Sequence, residues 1–176
     1  NKITLNVYEF GSVFKTFTIA AGLENKVINS NTVFKNLKNS LTCDKYKISE
    51  HDPLPKNLSV EQILVRSSNI GSVRIAQKVG LESYKKFLNS LELFKKINFD
   101  LDEVGSPLTF KWGKCKLATA SFGRGVATTP LQLARAYAIL GNGGYKIEPS
   151  ILKKKKKLYK KGKQIISTDT SNLLNL

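Results

Sequence analysis

The chain has 176 residues, of which 41% are hydrophobic, so it can bury one sizeable core and is expected to form one domain or a large part of one. Its net charge of +16 would suggest a nucleic acid or an anionic surface as partner. Eight lysines between Lys153 and Lys163 carry half of that charge. Because the charge is concentrated in this one short segment, we expect no nucleic acid as partner. No apolar run approaches the ~20 residues that span a bilayer, so no membrane span is predicted within this sequence.

The sequence contains no methionine and shows no secretory leader at Asn1, and we interpret it as an excerpt of a longer protein. Its two cysteines, Cys43 and Cys115, are too few and too far apart for a disulfide framework or a zinc site. The single histidine, His51, has no ligand partner at a useful spacing. We expect all three to be structurally incidental, and we predict neither a metal nor a cofactor.

Residues 1–10 are predicted to be extended, because Ile3, Leu5 and Val7 alternate with polar residues at the period of a strand. An apolar helix is predicted to follow over residues 12–24.

The start of this helix carries Ser12 and Lys15, whose spacing places a hydroxyl and an amine on one helical face. That is the arrangement of a nucleophile beside its base, and the N–H groups of a helix N-terminus favour an alkoxide and an oxyanion. Gly11, which permits a tight entry, and the polar cluster at residues 67–69 set Ser12 apart from other serines. The same spacing recurs at two further pairs, Ser83 with Lys86 and Ser150 with Lys153.

Residues 27–57 show no regular pattern, and we predict a connector lying over the core. Ser59 and Gln62 then form a capping box, which predicts a short helix over residues 60–66. Ser67, Ser68 and Asn69 follow at the end of this helix, where side chains can turn toward a cleft.

Two more helices are predicted next, one over residues 70–79 that ends at Gly80 and one over residues 82–94. The buried face of the second consists of residues at helical spacing, namely Tyr84, Phe87, Leu88 and Leu91. Residues 95–116 are rich in loop signals, and we expect Trp112 to pack as a lid on the helices.

A glycine loop with Gly123 and Gly125 precedes a helix that Thr129 caps, with Pro130 at its first position and Gln132 completing the box. The loop is interpreted either as a helix entrance or as one wall of a substrate cleft. The helix ends near Gly141, and its buried side is predicted to consist of Leu133, Ala134, Tyr137, Ala138 and Leu140.

Residues 145–167 are predicted to form a basic hairpin on the surface. Its lysine run suits a solvated strand edge that resists pairing, and an anion-binding patch is the alternative. Ser167 is predicted to start a last helix.

With these features placed, the sequence resembles the transpeptidase domain of class B penicillin-binding proteins, and most closely the septal, cell-division type. The resemblance extends over residues 1–149 and follows the order of the family's serine and lysine motifs. It is carried by three passages, Tyr8 to Lys15, Ser67 to Gly71, and Ser121 to Ala134.

The resemblance implies an α+β fold of the β-lactamase-like serine enzymes, present here as a helix-rich partial domain with its central antiparallel sheet incomplete. Its parts would be the helix at 12–24, the serine and asparagine region at 58–80, the glycine loop and helix at 121–144, and the basic hairpin at 145–167.

The resemblance also implies roles for individual residues. Ser12 would attack the carbonyl of a D-alanyl-D-alanine stem peptide, Lys15 would be the base, and Ser67 and Asn69 would pass protons and hold the substrate amide, while Ser68 matches a variable position. Gly123 and Gly125 would line the substrate site.

The implied reaction is the cross-linking of peptidoglycan, and β-lactams such as penicillin would trap Ser12. Membrane-bound division proteins would be partners, and the location would be the bacterial inner membrane, facing the periplasm.

Two departures from the family stand out. Phe10 replaces the usual proline, a change expected to affect only the turn before Ser12. No K-T-G or K-S-G triplet occurs, and by spacing it should follow Leu176. The family's anchor and first strands would precede Asn1, so we do not expect this segment to be competent alone.

Several alternatives remain open at this point. An elongation-type sibling usually carries aspartate where Asn69 stands, and a D,D-carboxypeptidase or a β-lactam sensor would not share residues 123–134. A non-catalytic basic binding module and an inactive fragment of such an enzyme are the alternatives outside this class.

Overall fold

The computed structural model describes residues 1–108, 110–153 and 162–175, which form two compact units. The first unit comprises Asn1–Tyr8, Leu88–Thr109 and Ala127–Leu176, and the second comprises Glu9–Phe87 and Phe110–Val126. Within the described ranges, none of the helices has the length and hydropathy needed to cross a bilayer.

Seven α-helices lie in the described part of the chain. In order they are α1 (Lys15–Glu24), α2 (Val60–Val65), α3 (Asn69–Val79), α4 (Leu81–Ser90), α5 (Lys116–Ala120), α6 (Pro130–Gly141) and α7 (Thr168–Leu174), and a 3₁₀ helix at Gly11–Phe14 leads into α1.

The strands are short and form three two-stranded sheets among the described residues. They are β1 (Tyr8–Glu9), β2 (Val33–Phe34), β3 (Ser40–Cys43), β4 (Tyr46–Ser49), β5 (Leu58–Ser59) and β6 (Ala127–Thr128), paired as β1 with β6, β2 with β5 and β3 with β4. The fold is therefore α+β, as predicted.

The core of the second unit lies where α1 packs against α3. Phe17 on α1 and Ile75 on α3 are completely buried. The predicted capping box is confirmed here: Ser59 accepts a hydrogen bond from the Gln62 amide, the Gln62 side chain accepts one from Ser59, and α2 begins at Val60.

The connector predicted over residues 27–57 is partly wrong, because it contains a β-hairpin. In this hairpin β3 and β4 pair antiparallel, with Ser40 opposite Ser49 and Cys43 opposite Tyr46. The hairpin shows little alternation of buried and exposed residues, since only Ile48 is fully buried, so the sequence pattern could not reveal it.

The cysteines are not incidental. Cys43 at the end of β3 and Cys115 just before α5 form a disulfide, although 72 residues separate them in sequence. The bond ties the β3–β4 hairpin to α5, and the prediction failed because sequence distance does not limit distance in the folded chain.

In the first unit the predicted amino-terminal strand is largely wrong. Residues 2–5 form a turn in which the Asn1 side chain accepts hydrogen bonds from the amides of Ile3 and Thr4. Thr4 is the buried residue, and its hydroxyl donates to the Glu103 carbonyl oxygen at 2.6 Å. A local Asx-type turn has displaced the extended conformation that alternation predicted.

Two helical predictions also need correction. The helix predicted over residues 82–94 ends at Ser90, and Glu92 has a positive φ of 53°. The buried face of α6 contains Gln132 and Arg135, whereas Ala134 is exposed. Both polar residues are buried because each has a hydrogen-bonding partner, the carbonyl oxygen of Lys95 for Gln132 and that of Ile147 for Arg135.

The other boundaries in this region agree with expectation. Thr129 caps α6 with Pro130 at its first position and Gln132 completing the box, and Ser167 caps α7. A basic hairpin was predicted at 145–167, and within it an antiparallel bridge joins Tyr145 to Gln164. Residues 154–161, which include most of the lysine run, lie outside the described residues.

Candidate active site

Ser12 lies on the 3₁₀ helix that precedes α1, in the second unit. Gly11 enters this turn with a positive φ of 56°, which glycine adopts without strain. Phe14 is buried and its ring meets that of Phe17 edge to face at 5.2 Å, which anchors the turn to the core. The turn thereby leaves Ser12 exposed and directs Lys15 inward.

Lys15 is a buried cation, with a relative exposure of only 2%. Its Nζ donates hydrogen bonds to the backbone carbonyl oxygen of Ser67 and to Ser67 Oγ, the latter at 2.8 Å. Burial lowers the pKa of this amine to about 8, although the nearby Glu50 carboxylate opposes the shift. The lowered pKa increases the neutral fraction of the amine near neutral pH, and the neutral form is the one that can act as a general base.

Ser67 occupies the junction between α2 and α3 with a positive φ of 54°. Ser68 is fully buried and caps α3 by accepting a hydrogen bond from the Gly71 amide at 2.8 Å. Asn69 is the first residue of α3, and its Nδ2 donates to the Ser49 carbonyl oxygen at 2.9 Å. The sequence assigned no role to Ser68, but its cap fixes the position of its two neighbours.

Glu50 is the residue that the sequence analysis missed. Its carboxylate accepts hydrogen bonds from the Ser68 hydroxyl at 2.6 Å, the Asn69 amide at 2.7 Å and the Ile70 amide at 3.0 Å. These bonds satisfy amides at the N-terminus of α3, where a negative charge is also favoured by the helix dipole. Glu50 stands in an irregular acidic stretch beside Asp52, and no spacing signal distinguishes the two.

Gly123 packs directly against the turn that carries Ser12. With φ at +80°, a Cβ built on Gly123 would lie 2.0 Å from the Gly11 carbonyl oxygen and 2.8 Å from Phe14 Cβ. Gly125 has φ at +71°, and its carbonyl oxygen accepts a hydrogen bond from Lys116 Nζ. Close backbone approach accounts for Gly123, and its predicted contact with substrate stays a prediction, as does that of Gly125.

The second unit thus brings four predicted residues into one region. Lys15 contacts Ser67 directly, Ser12 shares the turn that leads to Lys15, and Asn69 is held by Ser49 and Glu50. Among the described residues, no group of three or more side chains has the composition of a metal site.

A family model described as the penicillin binding protein transpeptidase domain matches residues 1–175. The chain belongs to this family. The resemblance stated from the motifs is therefore confirmed at the level of the family.

Curated relatives carry related names. The chain is 32% identical over 172 residues to the probable peptidoglycan D,D-transpeptidase FtsI of Caulobacter vibrioides, and the matched residues cover 97% of this chain and 29% of the relative. It is 35% identical over 159 residues to the peptidoglycan D,D-transpeptidase FtsI of Buchnera aphidicola, covering 88% and 27%. The chain spans less than a third of the length of either relative.

Among solved structures, the TP domain of penicillin-binding protein 3 from Burkholderia pseudomallei superposes with a TM-score of 0.91. The two are 24% identical, and the match covers 99% of this chain and 53% of that one. This likeness establishes that the chain has the fold of a penicillin-binding transpeptidase domain.

Proposed function

We propose that the protein is a serine-type D,D-transpeptidase that cross-links peptidoglycan stem peptides during septal cell-wall synthesis. The observation that carries the proposal is the buried Lys15 amine, bonded to Ser67 and poised with a pKa of about 8. The family and the names of the relatives support the reaction class.

In the first step Ser12 Oγ attacks the carbonyl carbon between the two terminal D-alanines of a stem peptide. Neutral Lys15 accepts the Ser12 proton as the new C–O bond forms. The C–N bond then breaks, and the terminal D-alanine leaves after its nitrogen receives a proton from Lys15 through the Ser67 hydroxyl. The product is an ester on Ser12.

In the second step an amine of a neighbouring stem peptide attacks this ester. The new C–N bond forms as the amine loses a proton to Lys15. The C–O bond then breaks, and Lys15 returns that proton to Ser12 Oγ, which restores the hydroxyl. Asn69, oriented by its hydrogen bond to Ser49, holds the substrate amide in both steps. A β-lactam would acylate Ser12 in the same way, because its strained amide takes the place of the D-alanyl-D-alanine bond.

The proposal extends to cellular context by analogy with the relatives. The protein would act at the bacterial inner membrane, facing the periplasm, with membrane-bound division proteins as partners. An oxidising compartment suits the Cys43–Cys115 disulfide.

Labelling of the full-length protein with a fluorescent penicillin tests the proposal. We expect a covalent band that is abolished in Ser12→Ala and retained in Ser83→Ala, a matched control because Ser83 also precedes a lysine by three residues but lies exposed on α4. Absence of label on the folded wild-type protein, or equal labelling of Ser12→Ala, would overturn the assignment.

A further inference from the structure

A cavity of about 430 Å³ opens on the second unit, close to the glycine loop. Its volume falls in the range of pockets that bind small molecules or short peptide segments. Its walls come from the β3–β4 hairpin, from the loop that contains Cys115, from α5 and from the glycine loop.

The walls of the cavity are strongly cationic. Five basic residues line it against one acidic residue, Asp44, and these five are Lys47, Lys111, Lys114, Lys116 and Arg124. Within the described ranges, none of the five forms an ion pair. The cavity therefore presents cationic groups whose charge is not neutralised by direct partners.

Lys116 differs from the other four because it is fixed in place. Its Nζ lies 4.1 Å from the centre of the Phe110 ring and donates a hydrogen bond to the Gly125 carbonyl oxygen. The remaining four are exposed and are available to a ligand. Tyr46 and Phe122 add aromatic surface to the same walls, which suits a ligand with an aliphatic part as well as a negative charge.

The position of the cavity relates it to the nucleophile. Phe122 and Arg124, which line it, flank Gly123 in sequence, and Gly123 packs on the Gly11 carbonyl next to Ser12. A peptide whose carboxyl-terminal end is held at Ser12 could therefore extend its preceding residues toward these walls.

We propose that this cavity binds the carboxylates of the acyl-donor peptide, on the residues that precede its D-alanyl-D-alanine end. This inference rests on the proposed function and assigns the donor's charged portion to this surface. Charge complementarity selects an acidic peptide, and exposed lysines and arginine supply the attraction at long range. The limited volume of the cavity favours a short peptide segment over an extended anionic polymer.

Competition with fluorescent penicillin on the full-length protein tests the inference. Two synthetic donor peptides that both end in D-alanyl-D-alanine are compared, one with free carboxylates on its preceding residues and one with those groups converted to carboxamides. We expect the carboxylate peptide to slow labelling at about fivefold lower concentration than the carboxamide peptide. This preference should diminish as salt is raised.

The double variant Lys47→Gln/Lys114→Gln should lose the preference while its labelling by penicillin alone stays unchanged. The matched control Lys35→Gln/Lys86→Gln removes two exposed lysines that do not line the cavity and should keep the preference. Equal competition by the two peptides, no competition by either, or a preference that survives in Lys47→Gln/Lys114→Gln would overturn the inference. Failure of penicillin to label the wild-type protein would instead contradict the proposed function.

Discussion

Lys15 and Arg135 are both buried cations, but their surroundings differ. Arg135 on α6, in the first unit, is 4% exposed and forms an ion pair with Glu92, which also lies 3.1 Å from Lys146 Nζ. Lys15, in the second unit, is 2% exposed, yet its ammonium bonds to two uncharged oxygens of Ser67. No ion pair to Lys15 occurs in the described part of the chain.

The difference shows in the charge states that each environment favours. Burial alone would raise the pKa of Glu92, but hydrogen bonds from Arg135 and Lys146 outweigh it and lower that pKa, so the cluster stays charged. Burial without a bonded carboxylate lowers the pKa of Lys15 to about 8. A buried cation that is paired with a carboxylate, as Arg135 is, stays charged and holds two parts of the fold together. A buried lysine that bonds only to uncharged oxygens, as Lys15 does, gives up its proton more easily.

The largest expected effect is on chemistry at Lys15. Lys15→Met removes the proposed base, and we expect the acylation rate by fluorescent penicillin to fall by about 10²- to 10⁴-fold. The free energy of unfolding should change by no more than about 1 kcal/mol, because losing the hydrogen bonds to Ser67 is offset by no longer burying a charge.

Lys86→Met is the control for this variant, since Lys86 belongs to the exposed pair with the same spacing, and it should label normally. An acylation rate of Lys15→Met within threefold of wild type would refute the role of this amine.

The second effect concerns stability. Arg135→Met leaves the partly buried Glu92 without its main partner, and we expect the free energy of unfolding to fall by about 3 kcal/mol. The folded fraction should still be acylated at the wild-type rate. Denaturant unfolding measures the first quantity, with Arg74→Met, an exposed arginine on α3, as control. A loss of acylation without a loss of stability would contradict the structural role of Arg135 and indicate a role in the chemistry instead.

The smallest effect is a shift in pH dependence. We expect acylation of the wild type to rise with pH through about 8, as Lys15 loses its proton. Glu50→Gln removes the negative charge that favours the protonated amine, so the midpoint should move to lower pH. The neutral side chain keeps an acceptor oxygen for the amides at the start of α3.

A pH–rate profile of penicillin acylation measures this shift, with Glu61→Gln, an exposed glutamate on α2, as control. A slower rate with an unmoved midpoint would mean that Glu50 acts only by positioning α3.

Much of the local structure around the site could be predicted because its signals are short in sequence. The Ser59 and Thr129 capping boxes each lie within four residues, and Gly80 ends α3 with a positive φ of 81°. The sequence also predicted that Trp112 packs on the helices, and its ring does meet that of Tyr84 on α4 edge to face, with 6.4 Å between the ring centres.

Other features depended on partners far away in the chain. The burial of Gln132 and Arg135 requires carbonyl groups at Lys95 and Ile147, and a hydropathy pattern assigns such residues to the surface. The Cys43–Cys115 disulfide closes a separation of 72 residues. Glu50 is recognisable as part of the site only from the hydrogen bonds that its carboxylate accepts from backbone amides of α3.

By itself the sequence determined the helix starts and the candidate residues Ser12, Lys15, Ser67 and Asn69, because capping, periodicity and motif spacing act over a few neighbouring positions. The α+β class followed from the family resemblance that these motifs carry. Only the tertiary structure decided that Lys15 is desolvated and bonded to Ser67, and that Glu50 faces the start of α3. The ionisation of a side chain depends on the atoms that surround it in space, and those atoms come from segments that no local pattern connects.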